Sequence, residues 1–305
     1  MFTLKEGDLR KLCRLNSFTI PNDEMIFFGL RGCIPYDDSD HTFRSKHKVK
    51  VVPINHANLR CTVIQWKPGL GIALFRSSTV PHQTYIRDAL TANGEGANRL
   101  MTGRYPNYKK GVHRAGSSTG HHAFRYDAKL PIRRTANDLN YGTDDRVEYE
   151  TPFDNIHAAW SSGPDYDGYG SAGCQVIAGY PQCESRGNSP DNGPWRVFKE
   201  NAYALKQSSF TYILLPGAYV QKVSETDSSK KLRRLRFGSN GDNVASLQQK
   251  LSRLNLYQAQ IDGDFGAKTL FALLDYQTKE FGPNQDSGVV GLQTAAALGI
   301  ALSTR

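Results

Sequence analysis

Two copies of one short pattern, 25 residues apart near the C-terminus, constrain the fold most. Asp262-Gly263-Asp264-Phe265-Gly266-Ala267-Lys268-Thr269 leads into Leu270-Phe271-Ala272-Leu273, and Gly288-Val289-Val290-Gly291-Leu292-Gln293-Thr294 leads into Ala295-Ala296-Ala297-Leu298. Each copy is a glycine-rich turn, a threonine and a short apolar helix. Upstream, Val244, Leu247, Leu251 and Leu254 recur at helical spacing. The pattern predicts three short helices joined by glycine turns.

The rest of the chain reads differently. Val49–Val52, Cys61–Trp66, Ile72–Phe75 and Phe210–Leu215 are apolar runs bounded by turn residues such as Pro53, Pro68-Gly69 and Pro216-Gly217, and they read as strands. Residues 4–14 and 195–205 read as helices. Residues 93–122 hold many Gly, Asn and Ser and read as long surface loops. Ser224 to Lys231 is polar and has no apolar period. The expected architecture is α+β: a strand-rich domain over residues 1–222, a linker over 223–231 and a small three-helix bundle over 232–305. With 39% hydrophobic and 22% charged residues, the composition excludes a collagen-like, coiled-coil or wholly disordered chain. No apolar run is long enough for a membrane span, and Met1 to Phe18 lacks the apolar core of a secretory signal.

The net charge is +9. Residues 223–305 carry 10 basic and 8 acidic groups, so +2, which leaves 28 and 21, or +7, for residues 1–222. The excess suits an anionic partner, and nucleic acid, an acidic membrane surface and bacterial cell wall all qualify on charge alone. The five cysteines are an odd number without zinc-finger doublets, so at least one is a free thiol or pairs with another molecule.

The C-terminal run Leu235-Arg236-Phe237-Gly238-Ser239-Asn240-Gly241, then Val244, Leu247-Gln248, Leu256-Tyr257, Ile261-Asp262-Gly263 and Phe265-Gly266, resembles the three-helix peptidoglycan-binding domain of cell-wall hydrolases. That resemblance selects peptidoglycan as the partner, in place of nucleic acid or a membrane.

Chemistry concentrates between Asp154 and Ile177. His157 precedes Cys174 by 17 residues, and Gly170-Ser171-Ala172-Gly173 leads into the cysteine. A thiol needs a base or a cation beside it to react as a thiolate near neutral pH. A tight Ser-Ala-Gly turn can aim successive backbone N–H groups at one point, as an oxyanion hole requires. This stretch resembles the active-site motif of the L,D-transpeptidases of YkuD type, in which a histidine is followed by Ser/Thr-His-Gly-Cys. Ser171, Gly173 and Cys174 match three of the four later positions, Ala172 replaces the family's second histidine, and Gln175 also departs from the common residue. The resemblance implies Cys174 as nucleophile and His157 as general base, with Ser171 in the catalytic set. It further implies backbone oxyanion donors at Ala172, Gly173 and Cys174, and a backbone carbonyl at Ala158 to orient the imidazole. It implies no cofactor. The substrate would be a stem peptide cut or joined beside its third residue, through a thioester, with hydrolysis and transpeptidation both open.

The residues admit competing readings. Cys174 could be structural, paired with Cys183, in a non-catalytic wall-binding protein with a degenerate enzyme fold. A phage endolysin-type peptidase is another alternative. His113, His121 and His122 suggest zinc, but adjacent histidines of an extended segment face opposite sides and no zinc-protease spacing is present, so no metal is expected. Glu95 and Glu148 lack any glycosidase pattern. His113, Arg133 and Arg134 are candidate substrate-binding residues, the arginines for a stem-peptide carboxylate. Wall chemistry without a Sec signal points to a protein made in the cytoplasm that reaches the periplasm or wall of a target bacterium by another route. An injected antibacterial effector of type VI secretion fits, with secretion machinery and an immunity protein as further partners.

Overall fold

The computed structural model describes all residues except 93–95, 136–138, 140, 142–144, 162, 164–167, 227–231, 284 and 303–305. In chain order the elements are β1 (Phe2–Lys5), α1 (Glu6–Leu15), β2 (Ile26–Arg31), β3 (Cys33–Pro35), β4 (Lys46–Val51), β5 (Cys61–Lys67), β6 (Gly71–Ser78), α2 (Gln83–Ala92), β7 (Asn98–Leu100), β8 (Gly103–His113), β9 (His121–Arg125), β10 (Leu130–Arg134), β11 (Val147–Glu150), β12 (Ile156–Ala158), β13 (Gln175–Ile177), α3 (Gly193–Tyr203), β14 (Ser209–Pro216), α4 (Gly217–Glu225), α5 (Asp242–Arg253), α6 (Ala267–Phe281) and α7 (Leu292–Leu298).

Eight strands close into a barrel in the order β12-β13-β6-β5-β2-β14-β8-β9, and two three-stranded sheets, β1-β4-β3 and β11-β10-β7, flank it. The continuous apolar runs follow from burial on both faces. Along β2, Phe27 joins Phe75, Phe124, Trp195, Phe198 and Phe210 in one core. Its neighbours Ile26, Phe28 and Leu30 face the opposite way, against Leu9 and Leu12 of α1 and Val220 of α4. A strand covered on both faces cannot alternate apolar with polar.

The predicted surface loops over 93–122 are corrected: β7, all of β8 and the start of β9 lie in that stretch. Tyr105 and Tyr108 carry the burial of β8, and both are fully enclosed. The flanking Gly103, Lys109, Lys110 and Gly111 fall on positions that pair with β14 or β9. The helix over 4–14 begins two residues late, after β1. Polar Ser224 and Glu225 belong to α4, and residues 227–231 of the expected linker lie outside the described residues.

The three C-terminal helices stand where the repeat placed them. A buried glutamine explains the repeat. Gln248 accepts the N–H of Gly263 and donates to Asp262 Oδ1 (2.7 Å) and Thr269 Oγ1 (3.1 Å). Gln277 does the same one unit later: it accepts from Gly288 N (2.9 Å) and donates to Val289 O (3.1 Å) and Thr294 Oγ1 (3.2 Å). Each Gly-to-Thr turn is thus tied to the preceding helix by one amide side chain. The bundle also touches the strand-rich region. Arg234 N donates to Leu15 O, Asn240 N to Ser17 O, and Arg104 N to Phe237 O, at 2.8–3.0 Å.

Candidate active site

The parallel pairing of β12 with β13 builds the site. Ile156 lies opposite Gln175, and His157 opposite Val176. Cys174, one residue before β13, therefore arrives beside the start of β12. The approach to the sulfur is the predicted tight turn. Gly173 has φ +153, and a Cβ there would stand 2.3 Å from Asn98 Nδ2 and 2.6 Å from Asp154 Oδ1. Only glycine fits. Ser171 Oγ braces the turn by donating to Cys174 O (2.7 Å) and accepting from Gly173 N (3.2 Å). Its role is positional, and the Gly173 N–H, expected in the oxyanion hole, serves Ser171. The Cys174 N–H faces its own sulfur, and Ala172 lines the cleft.

One ring nitrogen each of His157 and His113 and the Cys174 sulfur lie within 4.8 Å of one another. The thiol itself donates to Phe153 O (3.7 Å). His157 Nδ1 donates to Ala158 O (2.8 Å), the carbonyl expected to orient it, and stands 3.4 Å from His121 Nε2. His121 Nδ1 in turn donates to Thr119 O (2.8 Å). The proton of His157 is therefore on Nδ1, and Nε2 keeps the lone pair that a general base needs.

Burial dominates the electrostatics. It pushes the Cys174 thiol up, assisted by the Asp154 carboxylate. It holds His157 well below the usual histidine range, with His113 and His121 adding to the effect. Resting cysteine and histidine are accordingly both neutral. Asp154, enclosed and hydrogen-bonded by Asn98 Nδ2 (2.7 Å), is raised to about 7 by burial.

The pair opens into a cleft of about 1010 Å³ whose walls include Tyr85, Arg114, His121, Trp160, Tyr180 and Arg186. Sequence reasoning missed most of these, because they come from separate loops with no shared motif. His113 was expected to bind substrate and does line the cleft. Arg133 and Arg134 do not. Arg133 is buried and donates to Asp145 O (3.0 Å) and Asp286 O (2.7 Å). Arg134 pairs with Glu148 and Glu150 across β10–β11. They alternate along a strand whose neighbours already satisfy both, so neither is left for a ligand. His122 points away from His121 onto the ring of Tyr203, as the extended spacing required. Cys183 is a separate buried thiol near Ser118 O and Ser185 Oγ, and no disulfide joins it to Cys174. Glu148 is held by Arg134 and Arg146, and Glu95 lies outside the described residues.

His113, His157 and Cys174 are also the set that could hold a metal ion. Asn155 argues against it. Tyr126 N–H donates to Asn155 Oδ1 (3.2 Å), so the Asn155 Nδ2 donor faces His113 Nδ1 (2.9 Å). That bond uses the Nδ1 lone pair of His113 and leaves the proton on Nε2. Only two groups of the set then offer an electron pair, and a stable zinc site needs at least three.

Residues 240–298 match the family of peptidoglycan binding domains. The C-terminal bundle is therefore a peptidoglycan-binding domain, which associates the chain with the cell wall. Comparison with curated proteins finds no match. Among solved structures, the crystal structure of the SleB N-terminal domain is 31% identical, over 22% of this chain and 89% of that one, with a TM-score of 0.20. At that TM-score the likeness carries no argument about the fold.

Proposed function

We propose that the chain is a cysteine acyltransferase or peptidase of peptidoglycan stem peptides, of L,D-transpeptidase type, held on its substrate by the C-terminal domain. One observation carries this reading: Cys174, on a turn that only glycine can make, shares an open cleft with a neutral His157 whose Nε2 is the lone-pair nitrogen. Because both groups rest neutral, the thiolate forms as it attacks. The Cys174 proton passes to His157 Nε2 and the sulfur bonds to a stem-peptide carbonyl carbon. The carbonyl π pair moves to oxygen, where the N–H groups of Cys174 and Ala172 receive it. Collapse breaks the C–N bond, and the departing amine takes the proton from His157. Water or a second amine then attacks the thioester and regenerates the thiol. Stem peptides carry carboxylates, and Arg114 and Arg186 supply the cations on the cleft wall that Arg133 and Arg134 do not.

The test is incubation of the full chain with purified muropeptides and mass analysis of the products. Wild type is expected to change the masses, by loss of a residue or by exchange or joining. Unchanged masses under all conditions of stem length and acceptor amine would remove the enzymatic reading and leave a wall-binding protein.

A further inference from the structure

His113 stands beside the Cys174 sulfur, and the reaction above gives it no task. It ends β8, and its ring stacks on that of His157, with centroids 4.3 Å apart and planes 15° from parallel. The stacked rings are wired in opposite senses. His157 donates from Nδ1 to Ala158 O and keeps its lone pair on Nε2. His113 accepts at Nδ1 from Asn155 Nδ2, an orientation fixed by the Tyr126 N–H on Asn155 Oδ1, and so carries its proton on Nε2. One ring offers a base and the other a donor, side by side next to the same sulfur.

We propose that His113 is a neutral hydrogen-bond donor to the carbonyl oxygen of the substrate as it becomes an oxyanion, held in the donating tautomer by Asn155. The proposal rests on acyl transfer at Cys174 and assigns a residue from outside the His157–Cys174 motif. An acyl carbon bonded to Cys174 would place its oxygen near the cleft face that His113 shares with the sulfur. A neutral imidazole can polarise a carbonyl without charging the site. Burial, with His121, Arg114 and Arg125 nearby, lowers the His113 pKa to about 4, so the ring stays neutral through the range in which the enzyme would work. His113 also compensates for Ala172, which supplies no side-chain donor.

The deciding variant is Asn155→Asp. It keeps the acceptor for Tyr126 N–H and replaces only the group facing His113. A carboxylate there demands an N–H from Nδ1, which moves the lone pair to Nε2. Two-bond ¹H–¹⁵N correlation spectra of the full chain, labelled at histidine, read the tautomer directly. Wild type is expected to show His113 protonated at Nε2, and Asn155→Asp to show it protonated at Nδ1. With purified muropeptides, kcat is expected to fall about 100-fold in Asn155→Asp and in His113→Ala, with KM little changed. Asn155→Asp should also gain affinity for added Zn²⁺, since its site then has three lone-pair donors with a carboxylate behind one histidine. Wild-type His113 found protonated at Nδ1, or His113→Ala turning over like an active wild type, would overturn the proposal and leave Cys174 chemistry standing. A wild type with the expected tautomer and no turnover on any muropeptide would instead remove the acyl-transfer reading, and the donor role with it. The tautomer measurement on wild type decides the wiring even if a variant fails to fold.

Discussion

The C-terminal bundle and the barrel cleft solve the same problem, fixing a glycine turn, by different means. In the bundle, one buried glutamine ties each turn to the helix before it, and the solution is written twice. In the cleft, the turn at Gly173 is fixed once, by its own neighbours Ser171 and Gln175, whose side chain donates to Gly173 O (3.1 Å), and it packs against Asn98 and Asp154 from two other segments. The repeated device sets the turns of the peptidoglycan-binding domain, one amide side chain to each copy. The unique one sets the residue before Cys174, with side chains from distant segments packed against it. The difference predicts which substitutions affect chemistry and which affect anchoring.

The largest effect separates the two regions outright. His157→Ala is expected to lower the rate of muropeptide conversion by about 10²–10⁴-fold, the span of a lost general base. Pelleting with insoluble peptidoglycan should be unchanged. An equal loss of both activities would mean that the substitution unfolds the chain and that the two regions do not act separately.

Gln248→Ala should show the converse. It strips the partner from Gly263 N–H and leaves buried polar groups unsatisfied, a cost of about 1–3 kcal/mol. Thermal unfolding should shift down and pelleting should weaken at lower temperature than in wild type, while conversion of soluble muropeptides persists. Gln277→Ala should behave alike, because it occupies the equivalent place. A loss of turnover on soluble substrate would show that the bundle also shapes the cleft.

The repeat, the helices and their glycine turns were legible because each relation spans a few residues. In the barrel, β5, β6 and β14 were legible for the same reason, as continuous apolar runs. β8 was not. Its Gly103 and Gly111 look like loop residues, and only pairing with β14 and β9 makes them strand positions, while Asn107 falls at the register shift between β8 and β14. The motif around His157 and Cys174 pointed to two residues that the fold brings into one cleft, since a tight turn before a cysteine leaves a local trace. The roles of Arg133, Arg134, His121 and Asn155 depended on partners up to about 150 residues away in sequence, and no local pattern records them. The same limit made Ser171 look catalytic when its hydroxyl braces the turn.

A smaller effect follows from Asp154. Its carboxyl is raised to about 7 in the folded chain by burial, above its ordinary unfolded value. The sign follows: the folded state binds this proton more tightly than the unfolded one, so its contribution is present at pH 4 and is lost as pH rises through 7. Asp154→Asn should therefore raise the melting temperature at pH 8, by about 5 °C or more, and change it little at pH 4. It should also lower the thiol pKa of Cys174, because an anion that opposes the thiolate is gone, and alkylation at pH 8 should speed up. Slower alkylation would contradict the assigned electrostatics.

The central claim is that Cys174 forms the covalent bond while residues 240–298 only hold the wall. Intact-mass spectrometry of the full chain, acid-quenched during turnover of purified muropeptides, tests it most directly. The account predicts a stem-peptide adduct in wild type, mapped to Cys174 and cleaved by hydroxylamine as a thioester. Cys174→Ala should show no adduct and no product, yet pellet with peptidoglycan like wild type. Muropeptide masses altered by Cys174→Ala protein, or an adduct mapped to another residue, would contradict it.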